Sequence, residues 1–536
     1  MSADCYPISA APGLSRLFLD FCAGNPAARA FYAAVQGESW QDRPPLPPHW
    51  SELVDLLAAQ NPSPAAAAAL ESLRQGVGVV VTGQQVGLFG GPLFTPFKAA
   101  TALARARQAT AGGHPHAAVF WLASEDHDFA EIDHVTFPAK RELRKLTYAL
   151  PPETQADRPV GSIVLDDSIL PLVDQALDLL GPSGATEALA AAYKPGRTFA
   201  QAFADFYSQV FAARGLLILD ASGREFHRMG APVLRAAIER ADELHTALTA
   251  RNRALEAAGY HAQVAVTPQS SLLFLIDEGA GARLALKRTP PTANEPDGLW
   301  QAGRQNYSTA DLVAILSAQP ERISPSALLR PVFQDFLFGT SAQVAGPAEI
   351  AYLAQSSVLF EGILGCRTPP IARFSGTLIE PSIAELLSRH ELSVEQVFAE
   401  ENSASLAQRL AARAMPIETK QKLAAAGNAL DAELDALVAL MQSQDKGLGQ
   451  SAETAAGKMR YQMNRLRTLA ANFQLQRDAA LTRHADAICN ALFPGGVLQE
   501  RVHGAAYYFA RYGLELAETL TARAANACAG HLALWL

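Results

Sequence analysis

Short apolar runs alternate with longer segments whose apolar residues fall at every third or fourth position, and this rhythm begins at residue 76. It predicts strands at 77–82, 117–123 and 215–220 and helices at 96–110, 198–213 and 225–257. Strands without polar alternation are buried on both faces, so the order strand, helix, strand predicts an α/β fold with a doubly wound parallel sheet. Residues 1–75 read as a helical lead-in, interrupted by PPLPP at 44–48 and an alanine run at 65–69. Between 261 and 300 the segments VAVTP, SLLFLID and RLALKR predict a β-hairpin insertion. Helix and strand then resume with SALLRPVFQDFLF, SAQVAG, PAEIAYLAQSSVLFEGIL and PIARF, which places the end of a 76–381 core near Pro381.

Beyond 382 the period becomes purely helical. Leu423, Leu430, Leu434, Leu437 and Met441 form one heptad series, and Met459, Met463, Leu466, Ala470 and Phe473 a second. DKGLGQ, at 445–450, separates them, which predicts an antiparallel helical hairpin within 382–492; an ordinary helical bundle has the same short signature. Either is a packing or assembly module. Residues 493–536 are read as a segment returning to the core.

Composition narrows the function. The 536 residues are 49% hydrophobic and 18% charged with a formal net charge of -9, ordinary for a globular protein of several domains. Without a clustered basic run, counterion release offers no general affinity for nucleic acid. No uninterrupted apolar stretch reaches membrane-spanning length, and the N-terminus lacks a secretory pattern, which predicts a cytoplasmic protein without membrane insertion. Five scattered cysteines, Cys5, Cys22, Cys366, Cys489 and Cys528, predict a reduced setting without disulfide framework or zinc site.

The stretch TGQQVGLFGGPLFTPFKAA, residues 82–100, follows the first strand. Its glycines match neither the P-loop nor G-x-G-x-x-G, so ATP hydrolysis and dinucleotide binding are poorly supported. Thr95 as helix N-cap, Pro96 at the first helical position and Lys98 in the first turn would point amide groups at the sheet's carboxyl edge, where a phosphate or carboxylate could sit with Thr82, Gly83, Gln84, Gln85 and Gly91. The bland reading is that the glycines serve tight turns and close helix packing. At 91–97, G-P-L-F-T-P-F takes the place of the G-x-L-H-x-G-H of cytidylyltransferase-like enzymes, with Phe94 and Phe97 at both imidazole positions. A phenyl ring cannot donate a hydrogen bond to a transferring phosphate.

The second strand runs into Ser124, Glu125, Asp126, His127 and Asp128. A carboxylate beside an imidazole makes a general base, so Glu125, Asp126, His127 and Asp128 are candidate catalytic groups. A metal site and a solvated loop are the competing readings, and no metal-ligand spacing favours the first. Lys194 and Arg197 in YKPGRTF suit an anionic group or form a surface pair; Arg330 is a charge on an apolar segment and needs a partner or ligand. Gly346, Glu349 and Tyr352 lie at another strand-to-helix junction, where Glu349 either works on a ligand or complements the helix dipole. Arg501, Tyr507 and Tyr508 in QERVHGAAYYFARYG suit stacking on a nucleotide base or plain helix packing.

TGQQVGLFGGPLFTPFKA, FWLASEDHDFAEIDH, YKPGRTFAQAF, SPSALLRPVFQDFLF, GPAEIAYLAQ and LQERVHGAAYYFARYG, in this order, resemble the cysteine ligase family BshC of bacillithiol biosynthesis. The departures are modest: Ala348 stands where the family usually has glycine, and Leu353 where it commonly has tryptophan. The resemblance implies a Rossmann-like core with connecting insertions, a C-terminal coiled-coil domain that makes a homodimer, and amide formation between L-cysteine and glucosaminyl malate. Activation of the cysteine carboxyl points to ATP or another nucleotide as co-substrate, and no metal is expected. Two further readings stay open: a binding scaffold without catalysis, and a nucleotidyltransferase-like enzyme.

Overall fold

A computed structural model describes residues 3–33, 45–139, 142–150, 157–289, 298–526 and 528–536. Its centre is a five-stranded parallel sheet in the order Pro370–Ala372, Ala342–Ala345, Gly78–Gln84, His116–Leu122, Leu216–Asp220. Chain order therefore runs outward in one direction from the Gly78 strand and reverses on its other side, between Gly78–Gln84 and Ala342–Ala345. In doubly wound folds that reversal opens a crevice at the strands' carboxyl ends. Successive strand residues feed opposite cores: Val79, Val81, Val119 and Leu217 join one cluster, Val80, Ala118, Phe120 and Ile218 the other. Each such buried large side chain stabilises by about 1.5–3 kcal/mol, which fixes the register of the sheet and hence the position of its ends.

Element boundaries shift from expectation where local chemistry is specific. Predicted helix 96–110 spans Phe94–Ala111, and predicted helix 225–257 divides into Arg224–Glu239 and Ala241–Ala257. Thr95 consequently lies inside its helix rather than capping it. The lead-in opens with a strand, Ala3–Tyr6, before its helices. The insertion is larger than a hairpin. Ser270–Ile276 and Arg283–Thr289 pair antiparallel as expected, but Leu299–Ala302, Gln305–Tyr307 and Ile323–Pro325 complete a five-stranded sheet, and VAVTP contributes no strand. Residues 290–297 of this insertion, and Pro44 of the PPLPP stretch, lie outside the described residues.

The helical annex contains the antiparallel pair Ile417–Gln444 and Lys446–Arg477. The break is Asp445 alone, whose carboxylate accepts from the Leu448 amide, while GLGQ is already helical. Leu434, Val438 and Ala456 form the buried seam. Leu437, Met459, Leu466 and Phe473 of the predicted heptads point outward, because the two helices of the hairpin need only one narrow seam between them. Ser375–Ile379, His531–Trp535 and Ala3–Tyr6 form a separate three-stranded sheet with the His531 strand in its middle. Here the cysteine expectation fails: Cys5 and Cys528, with Cα atoms 5.7 Å apart, form a disulfide. Spacing could not reveal it, since the pairing of two strands remote in sequence brings the cysteines together. Among the described residues no helix is long and apolar enough to cross a membrane.

Candidate functional site

A cleft of about 330 Å³ opens at the point of reversal. Gly83 and Gln84 reach it from the first core strand, Asp126 from the loop after the second, and Gly346 from the turn after Ala342–Ala345. Lys98, Arg330, Arg373 and Arg501 line it together with Asp126, Glu131 and Glu349, so four cations face three carboxylates.

Lys98 projects from the buried face of the Phe94–Ala111 helix. Its ammonium lies 2.5 Å from Glu349 Oε2 and donates to Gly83 O at 2.7 Å and Gln84 Oε1 at 2.9 Å. Burial lowers its pKa from the ordinary lysine value, although Glu349 pulls the other way. Glu349 Oε2 also accepts from the Gly346 amide at 2.6 Å, which closes the start of the Pro347–Leu364 helix beside the cleft. A β-carbon on Gly346 would meet that carboxylate at 3.2 Å. The first-turn amides of this helix carry no intrahelical partner and supply a positive end to the cleft wall. Tyr352 lines the same wall, and burial raises its pKa well above the usual phenol value.

Opposite stands Asp126, 3.0 Å from Arg330 Nη1 and 3.7 Å from Arg283 Nη1. Burial pushes its pKa upward, but the two guanidiniums prevail and hold it below the ordinary aspartate value. Such a carboxylate is a weak base and a firm positioning group for Arg330. The loop is clamped from behind by Val160 N to Asp126 O and Gly161 N to Ser124 O, both 2.7 Å.

Of the four acid and imidazole candidates, Asp126 lines the cleft. Glu125 turns away to His227 Nε2 at 3.0 Å, His127 packs on Phe274 with its Nδ1 3.3 Å from Arg283, and Asp128 is exposed. Of the anion-site candidates, Gly83, Gln84, Gln85, Lys98, Arg330, Gly346, Glu349 and Tyr352 converge on the cleft. Thr82 is buried and donates to Val344 O. Thr95 is buried in its helix, and Gly91 O accepts from Ala505 N. At the start of this helix Leu93 N donates to His503 O and Thr95 N to Pro92 O, so these two amides are already engaged. Gly90 N and Gly87 O bond to the Tyr193 hydroxyl, so the later glycines serve packing rather than a ligand. Lys194 is exposed and Arg197 pairs with Asp205, both away from the cleft lining. Tyr507 donates to Glu380 and Tyr508 bonds to His503, leaving Arg501 as the tail's contribution. Phe97 is in the core against Phe374, while Phe94 lines the cleft with the Arg373 guanidinium 5.4 Å from its ring centre.

Arg283 and Arg373 escaped the sequence reading. Arg373 forms a buried pair with Glu500 at 2.6 Å, a carboxylate that also accepts from Ser375 Oγ and the Gly376 amide. Arg373 left a signal, a lone charge in the apolar run PIARF, whereas Arg283 is one of three basic residues in RLALKR and does not stand out. Among the described residues no three His, Cys, Asp or Glu side chains gather to hold a metal ion.

The fold and cleft define a Rossmann-like α/β protein that carries a C-terminal coiled-coil domain. Two family models divide the chain in the same way: "Bacillithiol biosynthesis BshC, N-terminal Rossmann-like domain" matches residues 1–373, and "Bacillithiol biosynthesis BshC, C-terminal coiled-coil domain" matches residues 376–534. The chain belongs to the bacillithiol biosynthesis BshC family. It is 39% identical, over 99% of both chains, to a protein of Koribacter versatilis (strain Ellin345) named "Putative cysteine ligase BshC". A protein of the same name from Solibacter usitatus (strain Ellin6076) is 34% identical over 96% of both chains.

Proposed function

We propose that the chain is a cytoplasmic ligase that joins the carboxyl of L-cysteine to the glucosamine nitrogen of glucosaminyl malate, the last step in forming bacillithiol. The observation that carries this reading is the pair of carboxylate–cation couples, Lys98 with Glu349 and Asp126 with Arg330, facing one cleft in a member of the BshC family. A free carboxylate does not condense with an amine unless it is activated, and ATP or another nucleotide is the co-substrate this chemistry requires. Arg330, Arg373 and Arg501, with the amide end of the Pro347–Leu364 helix, give that cleft the cations to hold phosphate or malate carboxylates. The Lys98 ammonium, held by Glu349, Gly83 O and Gln84 Oε1, adds a fixed positive charge to that cradle, and we assign it to hold the anion of the activated carboxyl.

The test is reconstitution. Purified chain is incubated with L-cysteine, glucosaminyl malate and ATP, with each component omitted in turn, and bacillithiol is followed by thiol-labelled mass spectrometry. Product should appear with the full set, and Lys98→Met should lower turnover by about 100-fold. A folded protein that binds none of the three components ends the ligase reading.

A further inference from the structure

A second cavity, about 240 Å³, shares Arg373 with the cleft but is otherwise distinct from it. Among the described residues Arg29, Arg105, Arg373 and Arg523 line it and no carboxylate does, although Arg373 is already paired with the buried Glu500. Among the described residues Arg29 and Arg105 make no ion pair. Arg29 is held instead over the Phe21 ring, 3.9 Å from its centre, and the buried Nε of Arg105 finds no acceptor. Burial also lowers the pKa of Arg105, a sign that its charge is poorly compensated. Two guanidiniums, Arg29 and Arg105, thus face one concavity without an ion-pair partner among the described residues, an arrangement that suits a small anion.

The same wall contains sulfur. Cys528 of the Cys5–Cys528 disulfide lines the cavity, whereas Cys5 is exposed outside it. Cys22 lines it too, but burial pushes its thiol up to about 11, so it stays protonated near neutral pH and is no nucleophile toward its neighbour. An attacking thiolate must therefore come from outside, and the arginines select for negative charge.

We propose that this cavity docks a small carboxylate-bearing thiol and directs its thiolate to Cys528 Sγ. The incoming sulfur bonds to Cys528 Sγ while the Cys5–Cys528 bond breaks. Its electron pair leaves on Cys5 Sγ, which takes a proton from water. One disulfide is exchanged for another without net oxidation, and the product is a mixed disulfide at Cys528 with a free thiol at Cys5.

The experiment exposes the full oxidised chain to mercaptosuccinate, 2-mercaptoethanol and cysteamine at matched thiolate concentrations and low salt, each rate being taken relative to that thiol's rate with a small uncharged disulfide so that differences in thiol basicity cancel. Release of the Cys5 thiol is timed, and the adduct is mapped by peptide mass spectrometry. Mercaptosuccinate should react about tenfold faster than the neutral thiol, cysteamine more slowly than either, and the spread should shrink as salt is raised. The adduct should sit on Cys528, and Arg29→Gln with Arg105→Gln should bring the three rates together. Equal rates in the unaltered chain, an adduct on Cys5 or Cys22, or free Cys5 and Cys528 in the air-oxidised protein would each overturn the proposal. If the arginine variants do not fold, the charge series and its salt dependence decide the matter on the unaltered chain.

Discussion

At the scale of single residues, the chain places its most costly groups around the Arg373 strand. Arg373 and Glu500 are both almost fully buried, and each holds the other's charge. Glu500→Gln would leave a guanidinium without its counter-charge in the interior, so it should cost about 3–5 kcal/mol in urea unfolding. Beside them, His531 bonds to Ser375 and Thr377, and burial drives its pKa down to about 4; His503, between Tyr508 and Asn490 O, is likewise at about 4. Both folded values lie below the ordinary 6.5, so between those limits the unfolded chain binds protons that the folded chain refuses. Stability should accordingly fall as pH is lowered from 6.5 toward 4, by up to about 1.4 kcal/mol per pH unit for each histidine. His531→Asn should reduce the slope of unfolding free energy against pH in that window by up to about 1.4 kcal/mol per pH unit. A slope unchanged by the substitution would remove His531 from the account.

At the scale of elements, the site rests on turns held by glycine and by partners from other segments. Gly161 packs so close to the loop after the second core strand that a β-carbon there would come within 2.3 Å of the Ser124 side chain and 2.9 Å of its backbone. Gly161→Ala should shift the 124–128 loop, raising KM for the reconstituted reaction by about tenfold with far less change in far-UV circular dichroism. The strands and the residues Lys98, Asp126, Arg330 and Glu349 were legible in the sequence, Asp126 because an apolar run ends abruptly in polar groups, and the other three because each is a charge at or near the start of a largely apolar helix. The direction in which each group faces was not. Glu125 and Asp126 are neighbours, yet one meets His227 and the other Arg330. That choice is made by helices distant in sequence. Arg283 and Arg373 were overlooked for the same reason, since Asp126 and Glu500 lie far from them along the chain. The glycines at 87 and 90 were misleading in the opposite sense: their composition resembles a ligand loop, but the Tyr193 hydroxyl occupies their backbone groups.

At the scale of the whole molecule, the helical annex is unbalanced. Met459, Leu466, Leu469 and Phe473 of the Lys446–Arg477 helix are each more than half exposed, as are Leu440 and Tyr461. One seam of the hairpin is filled, so these side chains are available for a second copy, in line with the homodimer that the family resemblance implies. Sedimentation of the full chain should give twice the monomer mass, and Leu469→Glu with Phe473→Glu should return it to the monomer without loss of helix content. A monomer in the unaltered chain at micromolar concentration would remove this role from the hairpin.

The three-stranded sheet has a further consequence for how the molecule comes into being. Its central strand, His531–Trp535, is the last of the three to leave the ribosome, so neither Ala3–Tyr6 nor Ser375–Ile379 has its neighbour before that strand emerges. Glu500, too, emerges well after Arg373, which must wait for it as an unmatched cation. The nascent chain thus carries two unpaired edges and a waiting charge until residues 500–535 have emerged, an interval in which those edges are exposed to wrong pairing.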